Sequence, residues 1–282
     1  MIPGYLIAAL WGAIGSFALL VGSFFGYRYN IPKKVMAMLT AFSSGILISA
    51  VCFELLFEAY SYGDIYQTTI GFLTGVIAFT LIDALIHRHS VEKYKEDYES
   101  NISKMMNTQN RPNRNMDDIN DFNIIKHRYT RYFNKYQVQS LTTLAGALLD
   151  GVPEAVAIGL TFFIGGPISI ALLFAVLIAN TFEGATASLN MKLGGWSGKN
   201  ILGIWILVII LTAVSATLSY IIFSHTDKHV ISIALGVAGG ALLAMIADTM
   251  LPEAYDEMQE WTGLVMALGF LLSFILSHLQ LH

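Results

Sequence analysis

Long apolar runs separated by short polar breaks dominate this chain of 282 residues. Each run has about 20 residues or more, the length that an α-helix needs to cross the hydrocarbon core of a bilayer. We therefore predict an all-α integral membrane protein with eight transmembrane helices. The predicted spans cover residues 4–27, 33–57, 66–86, 139–163, 168–190, 201–223, 229–252 and 261–280.

Composition supports the membrane assignment and excludes several classes of protein. Hydrophobic residues make up 55% of the chain and charged residues 13%, with a mean hydropathy of +0.60, whereas soluble domains carry about 25% charged residues. The single cysteine, Cys52, excludes an internal disulfide and a cysteine-rich zinc site. No P-loop motif occurs, so we expect no ATP hydrolysis by this chain. We expect the lipid bilayer as its surroundings, no nucleic-acid partner, and a first span that is retained rather than cleaved as a signal peptide.

Lysine and arginine are distributed unevenly among the predicted loops. Every basic residue except Lys228 falls in, or at the edge of, the loops between spans one and two, three and four, or five and six. Because basic loops face the cytoplasm, we predict both termini outside the cytoplasm, in the cell (inner) membrane. The chain then divides into spans one to three (1–88), a polar, flexible cytoplasmic loop (89–138), and spans four to eight with the candidate metal site (139–282).

The fourth predicted span contains two carboxylates at mid-membrane depth. Asp150 and Glu154 are four residues apart, so they share one face of a helix. Pro153 has no N–H to donate to the carbonyl of Leu149, which leaves a backbone acceptor one turn away. A charged side chain at this depth costs at least about 2.5–3.5 kcal/mol on insertion scales, so such residues are usually functional. The cluster predicts a cation as its partner.

The fifth predicted span brings two more polar side chains to the same depth. Asn180 and Glu183 are three residues apart and share a face. The tight turn at 165–167 makes spans four and five an antiparallel hairpin, in which residues equally far from the turn lie at equal depth. We therefore predict a convergent metal site of oxygen ligands. Its members are Asp150, Glu154, Asn180 and Glu183. The alternative is that neutral acids join the helices by hydrogen bonds alone.

Three further membrane acids are candidate metal ligands on a transport path. Glu54 in the second span is deep enough to line an entrance. Asp248 and Glu253 flank Pro252 near the cytoplasmic end of the seventh span, where they are candidates for an exit site. The alternative for this last pair is a helix end marked by proline, with acids that extend to the interface.

At these residues the chain resembles the ZIP family of divalent-metal transporters. The family motif His-Asn-x-Pro-Glu-Gly corresponds to 150–155, Asp-Gly-Val-Pro-Glu-Ala. The motif His-Glu-x-Pro-Glu-Gly corresponds to 179–184, Ala-Asn-Thr-Phe-Glu-Gly, and His-Glu-x-x-Pro-Glu corresponds to 248–253, Asp-Thr-Met-Leu-Pro-Glu. The Pro-Glu and Glu-Gly anchors persist, while the first histidine of each motif is replaced.

The resemblance implies a fold, a site and an activity. It implies eight spans with both termini outside, and a metal held between spans four and five by Glu154 and Glu183, with Asp150 and Asn180 beside them. It also implies that one helix group slides against another to move the ion. The expected substrate is a divalent cation (manganese, iron or zinc), without an organic cofactor. Oxygen ligands in place of imidazole favour the harder ions, manganese and iron(II). Some members of the family dimerise, so a homodimer is left open.

The alternatives to transport are metal binding without transport and metal-dependent hydrolysis. A ZIP-like protein that binds or senses metal without moving it fits the replaced histidines. An intramembrane metal hydrolase would need an imidazole-rich site that holds a water molecule beside a general base. The chain has no His-Glu-x-x-His motif and no histidine deep in a predicted span, so we do not expect an enzyme.

Overall fold

The computed structural model describes most of the chain outside the central loop and the fourth predicted span. The described residues are 3–29, 31–85, 88, 151, 154–156, 158 and 170–279. Their regular structure is entirely helical, and six of their helices are long and apolar enough to cross a membrane. The prediction of an all-α, membrane-embedded protein is confirmed for this part of the chain. The predicted loop at 89–138 lies outside the described residues.

Seven long helices form the described part of the protein. They are α1 (Gly4–Arg28), α2 (Lys33–Tyr62), α3 (Ile65–Leu85), α4 (Ile170–Leu193), α5 (Gly198–Phe223), α6 (Lys228–Met258) and α7 (Trp261–Leu279). The six candidate membrane spans are all of these except α4. Each of the seven coincides closely with one of the predicted apolar runs.

Polar caps at the joins determine where two of the helices begin. Oδ1 of Asp64 accepts hydrogen bonds from the backbone N–H groups of Tyr66 and Gln67, at 2.8 and 3.1 Å. The hydroxyl of Ser197 accepts one from the N–H of Asn200 at 3.3 Å. Such bonds satisfy N–H groups that have no partner within the first turn of a helix. Helix α3 therefore begins just after Asp64, and α5 begins just after Ser197.

Helices α2 and α6 each contain a wide π-helical turn, at Val51–Leu56 and at Ile246–Met250. Pro252 follows the turn in α6, where it lacks an N–H for the carbonyl of Asp248 and its ring crowds that carbonyl. The wider turn relieves this crowding, so α6 continues to Met258 instead of ending near 252 as predicted. No proline lies near the turn in α2, and we have no physical account of that turn.

The helices pack in two groups, and glycine contacts join helices within each group. The first group contains α1, α4, α5 and the helical residues 154–156 and 158, and the second contains α2, α3, α6 and α7. A Cβ atom at Gly22 of α1 would overlap the carbonyl of Thr181 in α4, and one at Gly45 of α2 would overlap the carbonyl of Met266 in α7. Helix backbones thus touch within each group, as small residues permit. The two groups meet where α2 packs along α4.

Buried polar bonds fix the register of the first group. The indole Nε1 of Trp205 in α5 donates to the hydroxyl of Ser188 in α4 at 2.8 Å. The hydroxyl of Ser16 in α1 donates to that of Thr212 in α5. Since all four side chains are buried, a shift of one helix would leave polar atoms without partners. Helices α1 and α4 are therefore held on either side of the candidate site.

Contacts between helix ends show at which end of the bundle three of the described lysines lie. Nζ of Lys192, at the end of α4, donates to the carbonyl of Tyr27, at the end of α1, at 2.8 Å. Nζ of Lys33, at the start of α2, lies 3.9 Å from Oε1 of Glu257, near the end of α6. These residues share one end of the bundle, because only a short link separates α1 from α2. Lys228, at the start of α6, lies at the opposite end.

Candidate functional site

The candidate site lies inside the first helix group. A narrow space, too small for a water-sized sphere, is lined by Gly12, Gly15 and Ser16 of α1, by the segment around Glu154 (Gly151, Glu154, Ala155 and Ile158), and by Val176 and Asn180 of α4. The hydroxyl of Ser219 in α5 donates to the carbonyl of Val156 at 3.2 Å, which anchors this segment against α5. Three elements therefore surround the space.

Glu154 and Asn180 are in direct contact at this site. Nδ2 of Asn180 donates to Oε2 of Glu154 at 3.2 Å and to the backbone carbonyl of Gly15 at 3.1 Å. Both side chains are buried, with 4% of Glu154 and 3% of Asn180 exposed. A buried carboxyl group is costly unless it has hydrogen-bond partners. The amide thus holds the carboxyl group in place and joins α4 to α1.

Glu183 supplies a second carboxylate to the same region. It lies three residues beyond Asn180 on α4, is half-buried, and interacts electrostatically with Glu154. Two ionised carboxylates repel each other at short range, and a cation between them removes that repulsion. The pair is therefore chemically suited to an ion with two positive charges.

Asp150, the remaining ligand of the predicted cluster, lies outside the described residues. The neighbouring Pro153 lies outside them as well. Within the described part of the chain, no three histidine, cysteine, aspartate or glutamate side chains lie together closely enough to hold a metal ion. The described donors of the site are thus two carboxylates and one amide, Glu154, Glu183 and Asn180.

The other three candidate ligands belong to the second helix group. Glu54, in the π-helical turn of α2, accepts a hydrogen bond from the hydroxyl of Ser277 in α7 at 2.6 Å. Asp248, in the π-helical turn of α6, is exposed, and Glu253 one turn later is half-buried. The structure therefore divides the candidate acids between the two groups. Glu154 and Glu183 belong to the first group, and the acids of α2 and α6 lie in the widened helices of the second.

Two features of the site escaped the sequence reasoning. The first is the carbonyl of Gly15, which accepts from Asn180 although 165 positions separate the two residues. The spacing of Gly12, Gly15 and Ser16 on one helical face was a signal for close approach of another helix. The second is the π-helical turn beside Pro252, which a proline within an apolar run could have indicated.

Comparison with known proteins shows no family for this chain. No protein-family model matches it, and no curated protein matches it. The chemistry of the site follows from its own side chains. They offer carboxylate and amide oxygens, the ligand types that hard divalent cations prefer.

Proposed function

We propose that the protein is a secondary, ZIP-like transporter that carries divalent cations across its membrane toward the cytoplasm. The observation that carries the proposal is the buried contact between Glu154 and Asn180, with Glu183 beside it on the same face of α4. Carboxylates within an apolar helix bundle are expensive and commonly mark an ion pathway. The cation is the substrate and crosses without an organic cofactor.

The ligand chemistry favours harder cations over zinc. The described donors are oxygen atoms of two carboxylates and an amide, and Asp150 would add a third carboxylate. Manganese and iron(II) accept such ligands readily, whereas zinc in proteins is more often bound by imidazole and thiolate. We therefore propose that manganese and iron(II) are carried in preference to zinc.

The two-group packing supports a sliding mechanism. Glycine contacts bind α1 tightly to α4, and α2 tightly to α7, so each group can move as one body. The cation site lies within the first group, and the acids of α2 and α6 lie in the second. Movement of the first group along α2 would expose the site to one side of the membrane and then to the other.

The distribution of basic residues supports an orientation. Lys33 and Lys192 lie at one end of the bundle, whereas Lys228 lies at the other. Basic residues accumulate on the cytoplasmic side of membrane proteins. We propose eight spans in the cell (inner) membrane, with both termini outside the cytoplasm.

A second candidate function is metal binding or sensing without transport. The space beside Glu154 has no room for a water-sized sphere, so a cation can enter only if the surrounding helices separate. A protein that binds an ion in this way and then stays closed would report on the metal without moving it. This alternative predicts binding without flux.

Metal flux into proteoliposomes distinguishes the two functions. Purified full-length protein is reconstituted, and uptake of manganese, iron(II), zinc and cadmium is compared with that of the Glu183→Ala variant. Transport predicts saturable uptake, led by manganese or iron(II), that Glu183→Ala abolishes. Bound manganese without uptake would establish the sensing function instead, and zinc uptake equal to or greater than that of manganese would contradict the proposed ion preference.

A further inference from the structure

An open apolar groove runs along the first helix group between α1 and α5. Its volume is about 530 Å³, and most of its walls are large apolar side chains, including Phe17, Val21 and Phe24 of α1 and Ile201 and Leu202 of α5. Phe17 is 55% exposed, Phe24 63% and Leu202 48%. The groove is separate from the candidate cation site, which lies among Glu154, Asn180 and Gly15.

The length of the groove matches one leaflet of a bilayer. It extends from Phe17 to Arg28 along α1, a distance of roughly 16 Å at 1.5 Å per residue. The hydrocarbon core of a bilayer is about 30 Å thick, so this distance is about half of it. An acyl chain from one leaflet therefore has the right length and polarity to fill the groove.

Basic groups lie at the end of the groove that Arg28 and Gly198 line. Arg28 lines the groove, and Gly198, the first residue of α5, lines it at the same level. Lys199 follows in the first turn of α5 and is exposed, and the N-terminus of this helix adds a partial positive charge. The guanidinium of Arg28 lies 5.7 Å from the ring centroid of Tyr29. Tyrosine beside basic residues is typical of the headgroup level of a membrane.

We propose that this groove binds one anionic phospholipid. An acyl chain lies against the apolar walls, and the phosphate of the headgroup lies between Arg28, Lys199 and the first turn of α5. The apolar length selects a lipid rather than a soluble phosphate, and the basic end selects an anionic over a zwitterionic headgroup. Because the groove is formed by α1 and α5, the lipid would stabilise the group that holds the candidate cation site.

Lipid-dependent unfolding tests this site. The full-length protein is unfolded thermally in detergent with added phosphatidylglycerol, phosphatidylcholine or glycerol phosphate, and native mass spectrometry records the lipid that stays bound. We expect phosphatidylglycerol to raise Tm by several degrees and to stay bound, with a smaller effect of phosphatidylcholine and none of glycerol phosphate. Removing the charges with Arg28→Gln and Lys199→Gln together is expected to abolish the advantage of phosphatidylglycerol.

A matched control removes two other charges. The pair Lys34→Gln and Lys228→Gln is exposed and lies outside the groove, so it should keep the full effect of phosphatidylglycerol. Val21→Trp, or Leu202→Trp from the opposite wall, should fill the groove and reduce lipid retention severalfold with the charges intact. Equal loss in both charge pairs, or full retention in both tryptophan variants, would overturn the proposal. The proposal would also be overturned if the unmodified protein were a dimer and the tryptophan variants were monomers, because the groove would then hold a second copy of the chain.

Discussion

The amide of Asn180 joins Glu154 to α1 by two hydrogen bonds from one nitrogen. Nδ2 donates to Oε2 of Glu154 at 3.2 Å and to the carbonyl of Gly15 at 3.1 Å. Three elements are thereby linked at one buried point: the segment around residue 154, α4 and α1. The position of this acid depends on a neutral side chain, so Asn180 is a positioning residue as well as a candidate ligand.

Removing that amide should destabilise the protein and impair the site. In Asn180→Leu the carboxyl group of Glu154 and the carbonyl of Gly15 lose a donor, and a buried group left without its partner costs about 1–3 kcal/mol. We expect a lower Tm in detergent and weaker manganese binding. Thr181→Val is the matched control, because its hydroxyl bonds to the carbonyl of Leu177 within α4. Equal stability of the two variants would contradict the role given to Asn180.

A side chain at position 22 should disrupt the contact between α1 and α4. A Cβ atom there would overlap the backbone carbonyl of Thr181, and overpacking of this kind typically costs about 1–3 kcal/mol. We expect Gly22→Ala to lower Tm. Gly203 of α5 has nothing within 4 Å of an added Cβ atom, so Gly203→Ala should be neutral or stabilising by up to about 1 kcal/mol. A Gly22→Ala protein as stable as Gly203→Ala would show that the two helices do not touch.

The hydroxyl of Ser277 should stabilise the protein through Glu54. It donates to Oε1 of Glu54 at 2.6 Å, and its loss in Ser277→Ala should cost about 0.5–1.5 kcal/mol. Ser273, one turn earlier on α7, is buried, and its hydroxyl has no partner among the described residues. Ser273→Ala should therefore be neutral or stabilising in thermal unfolding. If Ser273→Ala unfolded at a lower temperature than Ser277→Ala, the bond between Ser277 and Glu54 would not stabilise the protein as proposed.

Labelling in intact cells tests the proposed orientation. In a Cys52→Ser background, Lys228→Cys and Lys199→Cys place a thiol at opposite ends of α5 and its flanking turn, and both positions are exposed. A membrane-impermeant maleimide should label the cysteine at position 228 from outside. The cysteine at 199 should react only after the cells are opened. Labelling of position 199 in intact cells would show that the chain has the opposite orientation.

The sequence predicted the helices well because an apolar run of membrane length leaves a chain few alternatives. The run predicted at 201–223 begins three residues earlier in the structure, at Gly198, because Ser197 caps the helix. The run predicted at 229–252 ends six residues later, at Met258. There the π-helical turn accommodates Pro252, a compensation that residue type alone does not reveal.

The candidate site was predictable only in part. Helical spacing placed Asn180 and Glu183 on one face, and the predicted hairpin placed Glu154 within about one helical turn of Glu183 in depth. The carbonyl of Gly15 could not be foreseen, because it belongs to another helix whose approach depends on the tertiary packing. Whether Asp150 joins these residues stays a prediction.

Manganese flux through Glu154→Gln tests the proposed cation path most directly. Glutamine keeps an acceptor for the amide of Asn180 but removes the carboxylate charge, so the fold is retained while the cation loses a ligand. We expect uptake into proteoliposomes to fall about tenfold or more, since even indirect partners of a metal ligand are worth 10–100-fold. Glu260→Gln, which removes an exposed acid between α6 and α7, should transport as the unmodified protein does. Unchanged uptake in Glu154→Gln would contradict a cation path through this site.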